Sequence, residues 1–213
     1  MLGWVQLLIW CVFHPVTTAL LRLRVRWNPR SVWLAERSEP LILAANHTSY
    51  YDWLLLFALP WRVARRIVPV AILMGERHYR MLPIWLITAP FGVIPVKSHA
   101  WTLESYLGEA IRRSRKGASV LIFPQGTVDP TGSAPARIGV AYLAATSQRS
   151  VLPVTVAGIQ SATLSDVVLR RRQLTLFLGS TTFAPPPVNA PQAAIRRFTD
   201  RIGRALGIRQ PGS

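Results

Sequence analysis

Short apolar runs alternate with helix-like segments along most of this chain, and that alternation restricts the possible folds more than any other sequence feature. The runs have the length of strands buried on both faces. They predict strands over residues 41–44, 67–74, 91–96, 118–123 and 151–156, with 174–178 as a candidate sixth. Helices are expected from residue 53 to Pro60 and over residues 80–88, 101–116, 136–146 and 192–206, and residues 61–66 are interpreted as a basic connector. This order predicts an α/β fold with a mainly parallel central sheet flanked by helices.

The first 21 residues contain no Asp, Glu, Lys or Arg. As one continuous helix they would measure about 30 Å, close to the thickness of a bilayer core. Four arginines follow within residues 22–30, and by the positive-inside bias they place the remaining chain on the cytoplasmic side. His14 and Pro15 interrupt the run, so a helix lying in the membrane interface competes with a full span. A buried core helix is the third interpretation. We expect residues 1–30 to form a hydrophobic membrane-attachment segment and residues 31–213 to form one domain.

The formal net charge is +16, and arginine supplies nearly all of the positive charge, since Lys97 and Lys116 are the only lysines. Such a balance favours a polyanionic partner: an anionic membrane surface, a phosphorylated small molecule or nucleic acid. The arginines are scattered over several predicted elements without a recognised nucleic-acid-binding motif, so we expect no nucleic acid. Cys11 is the only cysteine, which excludes an intramolecular disulfide and a zinc cluster built from thiolates.

His47 lies in the turn between a predicted strand and the short helix, and Asp52 stands near the start of that helix. Ser49 and Asp52 have the spacing of a capping box, with Ser49 as the N-cap. Because side chains in a first helical turn lean toward the N-terminus, Asp52 is expected to reach the His47 ring. A carboxylate there fixes the tautomer and leaves the other ring nitrogen as a base for a substrate hydroxyl. The alternative is that Asp52 only caps the helix and His47 is an ordinary turn residue.

Four sequence blocks between about residues 40 and 160 resemble, in order, those of the glycerolipid acyltransferase family, which includes the lysophosphatidate acyltransferases. The first block, Asn-His followed by four residues and Asp, stands at residues 46–52. The second, Gly-x-Ile-x-Val, stands at residues 92–96, and the third, Phe-Pro-Glu-Gly-Thr-Arg, matches residues 123–128. The fourth, an apolar strand with a central proline, matches residues 151–154. One block alone is weak evidence, whereas four in the family's order are specific.

This resemblance implies transfer of a fatty acyl group from acyl-CoA or acyl carrier protein to a hydroxyl of a lysophospholipid or related lipid, without metal or cofactor. His47 would be the general base and Asp52 would orient it. Backbone N–H groups of the turn at residues 124–127 would stabilise the tetrahedral oxyanion. Residues 31–213 would then be the acyltransferase domain. The candidate substrate-binding residues are Asn46, Gly92, Lys97, Pro124, Gln125, Gly126, Thr127 and Arg137.

The sequence departs from the family pattern at three positions. Gln125 replaces the glutamate of the third block, Val128 replaces its arginine, and Ser98 stands where an arginine usually closes the second block. Lys97 is one residue earlier, which in a strand points to the opposite face. Because guanidinium groups suit phosphate, an acceptor less charged than lysophosphatidate is expected.

Two alternatives stay open from sequence alone. Arg137 either contacts a phosphate group or faces solvent. The second alternative is a non-catalytic lipid-binding relative with degenerate acceptor motifs, which the substitutions at Gln125 and Val128 favour and the intact pair of His47 and Asp52 opposes. A turnover assay separates that relative from an enzyme.

Overall fold

The computed structural model describes residues 2–26, 40–75, 92–96 and 102–208. The described helices are α1 (Leu2–Leu20), α2 (Leu55–Ala58), α3 (Trp61–Ile67), α4 (Leu103–Arg115), α5 (Gly139–Ser147), α6 (Leu164–Val168) and α7 (Gln192–Ala205). A 3-10 turn, Asp52–Leu54, leads into α2. The described strands are β1 (Arg24–Arg26), β2 (Ile42–Ala45), β3 (Val70–Gly75), β4 (Val93–Val96), β5 (Ser119–Ile122), β6 (Val151–Ala157) and β7 (Thr175–Leu178). The helix predicted for residues 80–88 lies outside the described residues.

The described strands form one sheet in the order β1–β7–β6–β2–β5–β3–β4. Their pairings are parallel except for that of β6 with β7, which is antiparallel. Strand β2 lies between β5 and β6, with Ala44 opposite Ile122 on one side and Pro153 on the other. The carboxyl ends of β2, β3, β4 and β5 therefore meet at one edge of the sheet. The predicted α/β fold with a mainly parallel sheet is confirmed.

Successive residues of a strand point to opposite faces of the sheet, and helices cover both of these faces. Leu43 and Ala45 of β2 pack into one apolar cluster with residues of α2 and α3. Ile42 and Ala44 pack into a second cluster with residues of α4, α5 and α7. This two-sided burial explains why the strands read as continuous apolar runs in the sequence.

Three elements differ from the sequence-based expectation, and one of them is the five-residue helix α6, over which no helix was predicted. Residues 61–66 are not a connector but the body of α3, which buries Val63, Ala64 and Ile67 along one face and leaves its arginines outside. Strand β1 was not predicted, since it is three residues long and alternates two exposed arginines with Val25. It pairs with β7 and lies within residues 1–30, so the predicted attachment segment shares the sheet with the domain.

Helix α1 contacts the rest of the described molecule along its length, in part through hydrogen bonds of two polar side chains. The Gln6 side-chain amide accepts a hydrogen bond from the Val70 N–H (2.7 Å) and donates one to the Val70 carbonyl oxygen (2.9 Å). Farther along, the His14 Nδ1 atom lies 2.6 Å from the Phe57 carbonyl oxygen. Within residues 3–20 only 11% of the helix is buried, so α1 is not the buried core helix that the third interpretation required.

Gly92 lies beside the contact between Gln6 and Val70. It has a φ of +77°, and a Cβ at this position would overlap the Val70 carbonyl oxygen. The backbone of Gly92 also accepts the hydrogen bond that opens the β3–β4 ladder, from the Ile72 N–H. These contacts give Gly92 a structural reason to be glycine.

Candidate active site

His47 and Asp52 face each other at the carboxyl end of the central strand β2. The His47 Nδ1 atom lies 3.1 Å from the Asp52 Oδ2 atom. Because a carboxylate only accepts hydrogen bonds, the imidazole proton lies on Nδ1, and the lone pair of Nε2 is left free for a substrate. The His47 side chain is 21% exposed, whereas Asp52 is fully buried. The geometry matches the interaction that the five-residue spacing predicted.

The Asp52 carboxylate is held by the turn that precedes it. Its Oδ2 atom accepts hydrogen bonds from the backbone N–H groups of Thr48 and of Ser49, the latter at 2.8 Å. The Oδ1 atom is 3.3 Å from the Thr48 hydroxyl. These donors fix the position of the carboxylate beside the His47 ring.

The expected capping box forms only in half. Asp52 accepts from the Ser49 N–H, but the Ser49 hydroxyl accepts from the Tyr51 N–H (3.2 Å) and not from the Asp52 N–H. The N-cap of the helical segment is Tyr51 and not the predicted Ser49, and the segment begins as the 3-10 turn at Asp52. The Asp52 carboxylate therefore bonds to the turn and to the His47 imidazole, without a complete capping box at the helix terminus.

Asn46, a candidate substrate-binding residue, is hydrogen-bonded through its side chain to the neighbouring strand. Its Nδ2 atom donates to the Val156 carbonyl oxygen (2.9 Å), and its Oδ1 atom accepts from the Val156 N–H (2.6 Å). The backbone ladder between β2 and β6 ends at the pair of Ala45 and Val154, so the side chain of Asn46 extends that ladder. Asn46 therefore holds the start of the turn that carries His47 and does not line the cavity described below.

Gln125, a second candidate, bonds to the backbone of His47. The Gln125 Oε1 atom accepts from the His47 N–H at 2.7 Å, and the Gln125 Nε2 atom donates to the Asp129 Oδ2 atom at 3.2 Å. The Asp129 N–H in turn donates to the His47 carbonyl oxygen at 2.6 Å. Both peptide groups of His47 are thus held by the loop that follows β5. Gln125 lies behind the histidine and not in the cavity.

Asp129 supports the site, although it stands in an Asp-Pro-Thr-Gly stretch whose composition is typical of a turn. Its carboxylate accepts hydrogen bonds from the Thr131 hydroxyl (2.6 Å), the Thr131 N–H (3.1 Å) and the Ala134 N–H (2.6 Å). The Thr131 hydroxyl above all, and then the Ala134 N–H, hold the pKa of the Asp129 carboxyl below its usual range. The sequence signal was Asp at the head of a turn, where its side chain often bonds the residues that follow.

The loop after β5 also shapes the front of the site. The Phe123 ring stacks on the His47 ring, with centroids 4.2 Å apart and planes at 21°. Gly126 has a φ of +71°, and its N–H donates to the Phe123 carbonyl oxygen at 3.0 Å. The Gly126 N–H, which was expected to stabilise the oxyanion, is therefore used to close the turn. Thr127 is the next residue along the cavity wall.

A cavity of about 940 Å³ lies at this edge of the sheet, in front of His47. Most of its walls are apolar side chains from β3, α4, α5 and the loops after β2 and β5. Its volume is at the upper end of the range of roughly 300–1,000 Å³ for small-molecule sites, so it has room for a chain-like ligand. The described lining residues include Tyr50, Trp53, Ile72, Leu73, Met74, Val96, Leu103, Tyr106, Leu107, Phe123, Val128, Ile138 and Val140.

Four of the candidate substrate-binding residues line this cavity: Pro124, Gly126, Thr127 and Arg137. The Arg137 side chain lies against Gly126, where an added Cβ would be 3.4 Å from the arginine Cδ atom. Among the described lining residues, Arg137 is the one with a permanent positive charge. Lys97 lies outside the described residues. Groups of His, Cys, Asp and Glu that could hold a metal ion are absent from the described part of the chain.

Comparison with known proteins agrees with this architecture. A family model described as "Acyltransferase" matches residues 29–157, which is more than half of the chain and contains the four sequence blocks. The fold is also similar to the crystal structure of the 1-acyl-sn-glycerophosphate (LPA) acyltransferase, PlsC, from Thermotoga maritima, with a TM-score of 0.63 and 17% sequence identity. That alignment covers 97% of this chain and 78% of the other. The chain belongs to the acyltransferase family that this model describes.

Proposed function

We propose that this acyltransferase is a membrane-associated O-acyltransferase that moves a fatty acyl group from a thioester donor to a hydroxyl of a lysophospholipid or related lipid. The observation that supports it best is the His47–Asp52 pair at the wall of a large, mainly apolar cavity. An apolar cavity suits an acyl chain. A carboxylate-oriented imidazole beside it suits the activation of a hydroxyl.

In the proposed reaction the His47 Nε2 atom takes the proton of the acceptor hydroxyl as its oxygen attacks the thioester carbonyl carbon. The new C–O bond forms a tetrahedral oxyanion, which needs hydrogen-bond donors. The backbone N–H groups of Thr127 and Val128 are the proposed donors, since both residues line the cavity and the Gly126 N–H is engaged. When the C–S bond breaks, the leaving thiolate receives the proton from His47, which restores the neutral ring.

The donor is proposed to be acyl-CoA or acyl carrier protein, because both present an acyl thioester on a phosphopantetheine arm. The far end of the arm differs between the two, since it carries a nucleotide in acyl-CoA and a protein in acyl carrier protein. Parallel assays with each donor, at matched acyl chain length, distinguish them. Activity with neither would contradict this part of the proposal.

The proposed acceptor carries less charge than lysophosphatidate. Val128 lines the cavity where the family has an arginine, and Arg137 is the remaining permanent cation on the described wall. Charge-assisted hydrogen bonds contribute about 1.5–3 kcal/mol each, so the loss of one or two weakens the binding of a phosphate monoester. A lysolipid with a neutral or zwitterionic headgroup is the acceptor class we infer.

Membrane attachment is proposed to occur through the outer face of α1. Trp4, Leu8, Val12 and Val16 recur at four-residue spacing along it and are 77%, 69%, 62% and 46% exposed. Residues 3–20 are long and apolar enough to cross a membrane. The helix is nevertheless attached to the domain through both Gln6 and His14, so we propose that it lies in the cytoplasmic interface and does not span the bilayer.

The deciding experiment measures transfer of a radiolabelled acyl group by the purified protein in detergent or vesicles. The parent should turn over, and a folded His47→Ala variant should lose nearly all activity because the base is gone. A folded Asp52→Asn variant should also lose most activity. Asp166→Asn is its control, since Asp166 accepts a backbone hydrogen bond from Thr163 but lies at the start of α6. A parent that binds lysolipid without turnover would favour the non-catalytic alternative. A His47→Ala variant as fast as the parent would refute the mechanism.

A further inference from the structure

We propose that Gln125 and Asp129 form a matched amide–carboxylate pair that positions the catalytic histidine, and that the glutamine is required at residue 125 because of Asp129. This makes them positioning residues, since they act on His47 and do not touch the cavity. The proposal rests on the proposed function for its activity readout only. It gives a physical reason for the glutamine at residue 125, where the third family block has a glutamate.

The pair encloses the backbone of His47 on both sides. The Gln125 Oε1 atom accepts from the His47 N–H, and the Asp129 N–H donates to the His47 carbonyl oxygen. The side chains of Gln125 and Asp129 are joined to each other by the hydrogen bond from Nε2 to Oδ2. Gln125 is 1% exposed and Asp129 is 8% exposed, so bonds lost here are not readily replaced by water.

Only an amide satisfies both contacts of residue 125. The atom facing the His47 N–H must accept a hydrogen bond, and the atom facing the Asp129 carboxylate must donate one. A glutamate at residue 125 would satisfy the first contact but would place a second carboxylate oxygen against Oδ2 of Asp129. Two buried carboxylates in contact repel and cannot bond to each other while both are ionised. One of them would have to move or bind a proton.

A second substitution, at residue 129, is expected to restore the pair. If Asp129 becomes asparagine, its amide can donate to a glutamate at residue 125, which still accepts from the His47 N–H. This second substitution does not restore every contact. Oδ2 of Asp129 also accepts from the Ala134 N–H, and in the asparagine an NH₂ group would face that N–H. The exchange therefore regains the link between residues 125 and 129 but loses the link to Ala134.

The test compares the full-length parent with Gln125→Glu, Asp129→Asn and the double variant, by kcat, by KM for the acyl donor and by free energy of unfolding in denaturant. Each single variant is expected to lower kcat about tenfold, the rate equivalent of one lost buried hydrogen bond. The KM of the donor should change little because neither residue lines the cavity. The double variant should exceed Gln125→Glu alone in kcat about threefold or more, which corresponds to regaining part of that bond.

The decisive result is that the effect of Asp129→Asn has opposite signs in the parent and in the Gln125→Glu variant. Asp129→Asn should harm the parent and help the Gln125→Glu variant, in both kcat and unfolding free energy. Asp166→Asn, which also removes a turn carboxylate, should have the same small effect in either background. Additive losses in the double variant, or a Gln125→Glu variant as active as the parent, would overturn the pairing. If the parent itself has no turnover, the proposed function fails, while the sign change in unfolding free energy still decides the pairing.

Discussion

The side-chain amide of Asn46 bonds both backbone groups of Val156, which lies on the neighbouring strand and 110 residues farther along the chain. The turn that carries His47 begins at the next residue, so the register between β2 and β6 and the position of His47 depend on the same two hydrogen bonds. Asn46, the residue adjacent to His47, thus bonds to the sheet and does not line the cavity.

Replacing Asn46 with alanine is expected to lower the free energy of unfolding by about 1–3 kcal/mol, because the buried Val156 N–H and carbonyl lose their partners. Urea denaturation followed by circular dichroism measures this difference. Asn189, exposed in a turn before α7, provides the control, and Asn189→Ala should change stability by less than about 0.5 kcal/mol. Equal effects of the two variants would show that the contact with Val156 is unimportant.

The carboxylate of Asp52 is expected to matter for the rate more than for donor binding. Asp52→Asn removes the acceptor-only group that selects the Nδ1–H tautomer, so kcat should fall by about 10²- to 10⁴-fold. The KM for the acyl donor should remain close to that of the parent. Since Asp52 also accepts bonds from Thr48 and Ser49, unfolding is measured in parallel. A folded variant with an unchanged kcat would exclude an orienting role.

The apolar stripe of α1 is expected to hold the protein on membranes. Substituting Trp4, Leu8 and Val12 together with glutamine removes apolar contacts without touching Gln6 or His14, so the variant should become extractable by high salt while the parent stays in the membrane pellet. Salt screens charges but does not reverse apolar burial. Leu164, Val168 and Leu169 are similarly exposed on or beside α6, and their triple glutamine variant serves as the control. A parent that is soluble without detergent would contradict the attachment.

Acceptor preference is expected to depend on residue 128. Val128→Arg adds a guanidinium to the cavity wall and should raise kcat/KM for lysophosphatidate, relative to a zwitterionic lysolipid, about tenfold, the effect of one charge-assisted bond. Gln125 is left unchanged because it does not line the cavity. The measurement is a competition assay with both acceptors present. If lysophosphatidate is already the best acceptor of the parent, Arg137 or another basic group binds its phosphate.

The stability of the protein is expected to fall in acid partly through Asp129. Hydrogen bonds from Thr131 and Ala134 depress the pKa of this carboxyl in the folded protein. Its contribution is therefore present above the unfolded pKa of about 3.9 and is lost as pH falls through the folded value. The gap in unfolding free energy between the parent and Asp129→Asn should narrow as pH is lowered from about 6 to about 3. A gap that stays constant would show that the ionised form is not favoured by folding.

Local sequence was enough to predict most strands and the longer helices of the fold, and one contact at the carboxyl edge of its sheet. The apolar runs predicted β2 to β7 within a few residues, because strands buried on both faces admit few polar side chains. The contact between His47 and Asp52 was predictable because only five residues separate them and the turn geometry brings them together. Strand β1 and helices α3 and α6 were not predicted because they are short, and in β1 and α3 exposed arginines alternate with a narrow apolar face.

Tertiary structure decided the roles of the residues around that pair. Asn46 and Gln125 stand in family motifs, and sequence alone placed both at the substrate. Their partners, Val156 and the backbone of His47, lie 110 and 78 residues away and are brought close only by the pairing of β2 with β6 and β5. A side-chain amide bonds whatever buried backbone group the sheet places opposite it, because such groups are costly to leave unpaired. The spacing of residues along the chain does not contain that information.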